Sequence, residues 1–196
     1  MEAGGKPEKI NFGIVSLKKS QIMNARIEAA LNDQVEKEAY SSQFYLAMAS
    51  WSENNGLNGT AKFMYQQSDE ERFHMLKLIK FINERNGRAL IPQITQPPRE
   101  FDTLQSVFEQ LLEHELLVSA SINDLTEICL QEKDHATHNF VQWYVSEQLE
   151  EEASARLILD KLKLFGNDKG GLYLFDRDME TAAAQAASAT AAEKKA

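Results

Sequence analysis

The octapeptide SDEERFHM, Ser68 to Met75, packs Asp69, Glu70, Glu71 and His74 into two turns of helix-forming sequence. Its meaning depends on phase. Steps of three and four residues run from Met64 through Gln67 to Glu71, then His74, Leu78 and Ile82, which lie on one line along a helix. Glu71 and His74 therefore share an apolar stripe, whereas Asp69 and Glu70 fall off it. An inward carboxylate and imidazole need something to compensate their burial.

Reading outward, chain breakers separate the segment from its neighbours. Asn54, Asn55, Gly56, Asn58 and Gly59 predict a turn, and NERNGRALIPQITQPPREF (83 to 101) a long proline-bearing connection. A shorter break is expected at Gln131 to Asp134, and GNDKGG (166 to 171) supplies glycines suited to a helix end. Four segments between these breaks carry apolar residues at helical spacing. The first has Ile27, Leu31, Val35, Tyr45 and Ala49, and the second Met64, Leu78 and Ile82. The third has Leu104, Phe108, Leu111, Val118, Ile122, Leu125 and Cys129, and the fourth Val141, Tyr144, Ala155, Ile158 and Leu162. The reading is all-α, a four-helix bundle in which the second connection is long enough to cross the bundle's length. A short fifth helix is expected from near Leu172, and the alanine-rich tail (181 to 196), with no large apolar residue to dock, is expected to fray.

Bulk properties agree with a single domain. The chain has 196 residues, 43% of them apolar, with only 9 Gly and 4 Pro. A net charge of −9 argues against nucleic acid and anionic membranes as partners. The lone Cys129 can form neither an internal disulfide nor a thiolate metal site, which points to a reducing, cytoplasmic compartment. The first twenty residues lack the apolar run of a secretory signal or a membrane span.

Every stripe carries a carboxylate. Between Val35 and Tyr45 the first passes through Glu38; Glu115 follows Leu111 on the third; Gln148 and Glu151 follow Tyr144 on the fourth. Taken singly, each acid reads as a boundary residue reaching water, and His74 as a satisfied core histidine. Taken together, four anions near mid-helix repel one another and are costly to desolvate. Proton uptake relieves part of that cost, and two divalent cations balance all four charges. Oxygen ligands with one imidazole suit iron, manganese or zinc.

The sequences EKEAYSSQFYLAMASW (36 to 51), DEERFHM (69 to 75), HELL (114 to 117) and FVQWYVSEQLEEE (140 to 152) strongly resemble the bacterial non-haem ferritins. The resemblance spans roughly residues 22 to 179 and implies a ferritin-like bundle over 21–180, flanked by an N-terminal extension (1–20) and the alanine-rich tail (181–196). It further implies a ferroxidase that oxidises ferrous iron with dioxygen or hydrogen peroxide and stores ferric mineral in a cage of twenty-four identical subunits. Glu38, Glu71 and His74 would hold a first iron; Glu71 would bridge to a second held by Glu115 and Glu151, with Gln148 beside it. A third, weaker iron position would use Glu70, Glu147 and Glu150, sharing Glu151. Tyr45 and Trp143 match aromatic residues near the family's centre. Where a symmetric di-iron site would repeat Glu-x-x-His, the fourth helix has Gln148-x-x-Glu151. A neutral amide is a poor iron ligand, so the second position should bind more weakly.

Other readings remain open. A rubrerythrin-like peroxidase needs a cysteine-rich iron site that one cysteine cannot build. A haem-bearing relative would need methionine where Arg72 stands, so no haem is expected, and Met64 and Met75 read as core filler. A di-iron carboxylate oxidase or peroxidase without storage, and a metal-free helical scaffold, are the alternatives. His135 and His138, near the third break, read as surface groups or as the border of an iron route.

Overall fold

The computed structural model describes residues 23–166 and 168–193, so the N-terminal extension lies outside the described residues. Five helices follow in order: α1 (Ala25–Asn54), α2 (Asn58–Glu84), α3 (Leu104–Gln131), α4 (His135–Phe165) and α5 (Lys169–Glu193). None is long and apolar enough to cross a membrane.

Side-chain caps fix three of the N-termini. Asn24 accepts from the amides of Arg26 and Ile27 at 2.8 and 3.4 Å, and Thr103 forms a reciprocal capping box with Ser106. Asp134 takes the amide of Thr137 at 3.0 Å and also pairs with Arg85 at 2.9 Å. At the far end of α4, Gly166 has φ +57° and ψ −141°, a backbone conformation that essentially only glycine adopts.

End-to-end contacts give the topology. Asn24, before α1, bonds Glu132, after α3, and Arg85, after α2, bonds Asp134, before α4. These pairs run antiparallel, so the 85–103 crossover must return along the bundle, as anticipated. Asn32 pins its first residues, donating to the Arg88 carbonyl at 3.0 Å and accepting from the Leu90 amide at 2.7 Å. Phe101, near its end, packs edge-on against Trp51 at the other end of α1. Ser42 and Ser68 donate to each other's carbonyls at 2.9 and 2.8 Å, which draws α1 and α2 close together.

Two features differ from the sequence reading. Asn58 and Gly59 belong to α2 and not to the turn, because Asp176 of α5 caps that helix from outside, accepting from the amides of Gly59 and Thr60 at 2.9 and 2.8 Å. A Cβ on Gly59 would sit 1.7 Å from the Asp176 carbonyl oxygen, so glycine is what lets α5 dock. Helix α5 itself starts at Lys169 and continues through the tail to Glu193, where fraying was expected. Phe175, Met179 and Ala183 are buried in the bundle's core and anchor it.

The interior divides into two apolar clusters. One gathers Phe44, Tyr45, Met48, Met64, Phe108, Ile158 and the anchors of α5. The other gathers Ile27, Leu31, Val35, Leu78, Ile122, Cys129 and Tyr144. Along all four bundle helices the change from one cluster to the other falls at the polar positions: Glu38, Glu71 with His74, Glu115, and Gln148. Met64 is fully buried and Met75 packs against the second cluster, so both serve as core filler.

Candidate metal centre

Helical phase delivers the acids as anticipated. Glu38, Glu71, His74 and Glu115 are each at most 1% exposed, and Gln148 is 7% exposed. Glu151 is only half-buried, because it sits at the edge of the stripe, on the wall of a groove. His74 Nδ1 lies 3.6 Å from Glu71 Oε2 and 4.0 Å from Glu38 Oε2. Ligand atoms of these three residues all lie within 4.8 Å of one another, close enough for one ion to touch all three.

A ring of donors holds this cluster. Gln34 donates to Glu38 Oε1 at 2.9 Å, Gln148 to Glu115 Oε2 at 3.1 Å, and Gln67 to Glu151 Oε2 at 3.0 Å. The Tyr45 hydroxyl donates to Glu115 Oε1. Tyr144 donates to the His74 carbonyl at 2.9 Å, and Trp143 stands edge-on to the imidazole at 5.1 Å, with Lys77 Nζ over the indole ring. Glu38 Oε2, Glu71 Oε2 and His74 Nε2 are buried without any hydrogen-bond partner among the described residues. Orphaned buried acceptors are rare, and three in one cluster fit a bound cation.

Electrostatics lead to the same conclusion. Burial, then the neighbouring charge of Glu71, raises the Glu38 carboxyl well above its usual range. Burial also pushes Glu71 up to about 7 and Glu115 to about 8, while burial and the charge of Glu115 raise Glu151 strongly. Without metal, the cluster therefore holds protons near neutral pH. A divalent cation can displace them and take over the charge compensation.

Residues 28–165 match the family model of the ferritin-like domain. The chain belongs to the ferritin family. The bacterial non-heme ferritin of Campylobacter jejuni is 43% identical over 156 residues, 80% of this chain and 93% of that protein. A probable bacterial non-heme ferritin-like protein of Haemophilus influenzae is 42% identical, covering 81% and 96%. Among solved structures, an open-pore ferritin from the archaeon Archaeoglobus fulgidus superposes with a TM-score of 0.79 at 43% identity, covering 81% of this chain and 98% of that one.

The acids assigned to a third position in this ferritin divide in two. Ligand atoms of Glu70 and Glu147 gather with His74 within 4.8 Å. Glu150 is exposed and instead lines a groove of about 350 Å³ between α2, α4 and α5, together with Glu70, Glu151 and Gln67. His135 is exposed in the first turn of α4, and His138 lies 3.5 Å from Gln142.

Two neighbours of the centre escaped the sequence reading. His114 packs against Tyr40, Phe44 and Tyr45, with its Nε2 2.7 Å from Ser41 Oγ, and burial lowers its pKa to about 4, so the ring is neutral. Its signals were its adjacency to Glu115 and its place at the head of HELL, where no role was read for it. Gln34 was hidden beside Val35, although its position four residues before Glu38 puts both on one face.

Proposed function

We propose that this ferritin stores iron: it takes in ferrous ions, oxidises them in pairs with dioxygen or hydrogen peroxide, and lays down ferric mineral inside a cage of twenty-four copies in the cytoplasm. The observation that carries this reading is the buried Glu38–Glu71–His74 group, in which Glu38 Oε2, Glu71 Oε2 and His74 Nε2 have no hydrogen-bond partner among the described residues and ligand atoms lie close enough to share one ion. The family's name on the relatives and the fold it shares with them support the storage role.

In this reading Glu38, Glu71 and His74 hold the first ferrous ion. Glu71 also reaches a second ion, held by Glu115 and Glu151 beside Gln148. Ferrous ions are the substrate. Two of them supply the two electrons that reduce dioxygen to hydrogen peroxide, or hydrogen peroxide to water. Four carboxylates balance two ferrous ions, but two ferric ions leave a surplus of two positive charges. That surplus favours departure toward Glu70, Glu147 and Glu150, which are nearer to solvent. The Tyr45 phenol, hydrogen-bonded to Glu115, keeps that carboxylate oriented and holds a proton beside the second position.

Anaerobic ferrous titration followed by oxygen tests the reading. Two irons per chain should oxidise rapidly and a ferric core should then grow, while native mass measurement should give twenty-four subunits. Rapid oxidation without a core would favour a non-storing oxidase, and no oxidation would leave a scaffold.

A further inference from the structure

Three of the four carboxylates at the centre share a feature that the ligand set does not explain. Each accepts a hydrogen bond on one oxygen from a buried glutamine amide, and the three glutamines come from three helices: Gln34 of α1, Gln67 of α2 and Gln148 of α4, with the second oxygen of Glu115 accepting from Tyr45. Gln34 and Gln67 are 1% and 5% exposed, so neither amide can turn to water instead. Among the described residues no amide reaches Glu71.

We infer that Gln34 and Gln67 are positioning residues, each of which fixes the orientation of one carboxylate, Glu38 or Glu151, through one oxygen and so favours the approach of an arriving ion at the other oxygen, while Glu71, which no such amide orients, can swing to bridge. At Glu38 the division is visible: Oε1 accepts from Gln34 at 2.9 Å, while Oε2 has no partner and faces His74 Nδ1 at 4.0 Å. The amide is itself oriented, since Ser121 of α3 donates to Gln34 Oε1 at 2.7 Å. That bond turns the NH₂ end toward the carboxylate; the reversed amide would set two acceptors face to face. For Glu38 to chelate an ion through both oxygens, Oε1 would have to share its lone pairs between the ion and the Gln34 amide, which weakens that hydrogen bond and disfavours chelation.

A carboxylate held to one oxygen occupies one coordination position where a chelating one occupies two. By favouring the one-oxygen mode, the glutamines leave positions on each ion for water or oxidant, and the mobile ligand role to Glu71. This inference rests on the metal-centre reading proposed above.

The test uses the full chain and Co(II), whose visible absorption weakens as coordination number rises. Wild-type protein should take up two Co(II) with intense bands, and added azide should fill the open positions and change the spectrum. Gln34→Met and Gln67→Met keep side-chain length and lose the amide. Each should weaken the bands and the azide response, and change Co(II) affinity by about tenfold or more, the usual scale for losing a hydrogen bond to a ligand. Ser121→Ala, which touches no ligand, should shift the Gln34-dependent signal the same way by a smaller factor, and keeps the test alive if a Met variant fails to assemble. Wild-type spectra, azide response and affinity in the variants would overturn the inference alone. A wild-type chain that binds no Co(II) would overturn the metal-centre reading and this inference with it.

Discussion

Replacing Glu71 with glutamine should abolish paired iron binding and yet make the metal-free protein more stable. Burial carries the Glu71 carboxyl from its ordinary 4.5 up to about 7. Each pH unit is worth about 1.4 kcal/mol, so ionising this group in the folded chain costs about 3 kcal/mol. Between pH 4.5 and about 7 the folded state keeps a proton that the unfolded state has released, so stability falls as pH rises across that window. Above it the full cost is present. Glutamine has the same shape, carries no charge, and can donate to the orphaned Glu38 Oε2. Thermal melts followed by circular dichroism in chelator should therefore coincide for the two proteins near pH 4.5. They should separate by roughly 6 to 12 °C by pH 8, the scale expected for about 3 kcal/mol in a chain of this size. Adding Co(II) should reverse the order, because only the wild type can use it. A variant that melts no higher than wild type at pH 8, or a gap that does not widen with pH, would refute the account of Glu71 as a strained buried charge.

Four further outcomes are expected. His74→Ala should abolish fast oxidation in stopped-flow absorbance while assembly, read by light scattering, persists; wild-type rates would remove the imidazole from the site. Glu150→Ala should leave the first paired turnover intact and slow later ones, and loss of the first turnover would contradict its role in drawing product away. Because Glu71 and Glu115 titrate near 7 and 8, iron binding should release protons at pH 6.5 and weaken as pH falls below 7; calorimetry in buffers of different ionisation enthalpy would expose a pH-independent site. Asp176→Ala should cost about 1–2 kcal/mol through the lost cap on α2 and should speed proteolysis within α5, whereas an unchanged digestion pattern would mean that the cap does not hold that helix.

The bundle was legible because each helix repeats its apolar residues over many turns, and the breakers between them are strong. The burial of the polar cluster was legible for the same reason: Glu38, Glu71, His74 and Glu115 interrupt otherwise clean stripes. What escaped depended on contacts between helices distant in sequence. Nothing near Gly59 reveals that Asp176, more than a hundred residues away, caps its helix. The alanine tail has no large apolar side chain, and its helix is anchored by Phe175 and Met179 upstream and by Ala183, whose burial depends on a close approach rather than on side-chain size. Glu151 matched the stripe in register, but its partial exposure depends on the groove beside α5, which periodicity along α4 cannot report.

The two apolar clusters on either side of the centre give the subunit the mechanics of two small bodies joined by a charged seam. Near neutral pH the empty seam is held closed by the protons its carboxyls keep, and above that range their repulsion works between the two bodies. An ion bound as proposed would replace those protons with a tie across the helices. The flexibility of the seam would then follow both pH and occupancy, being greatest where neither protons nor ions span it.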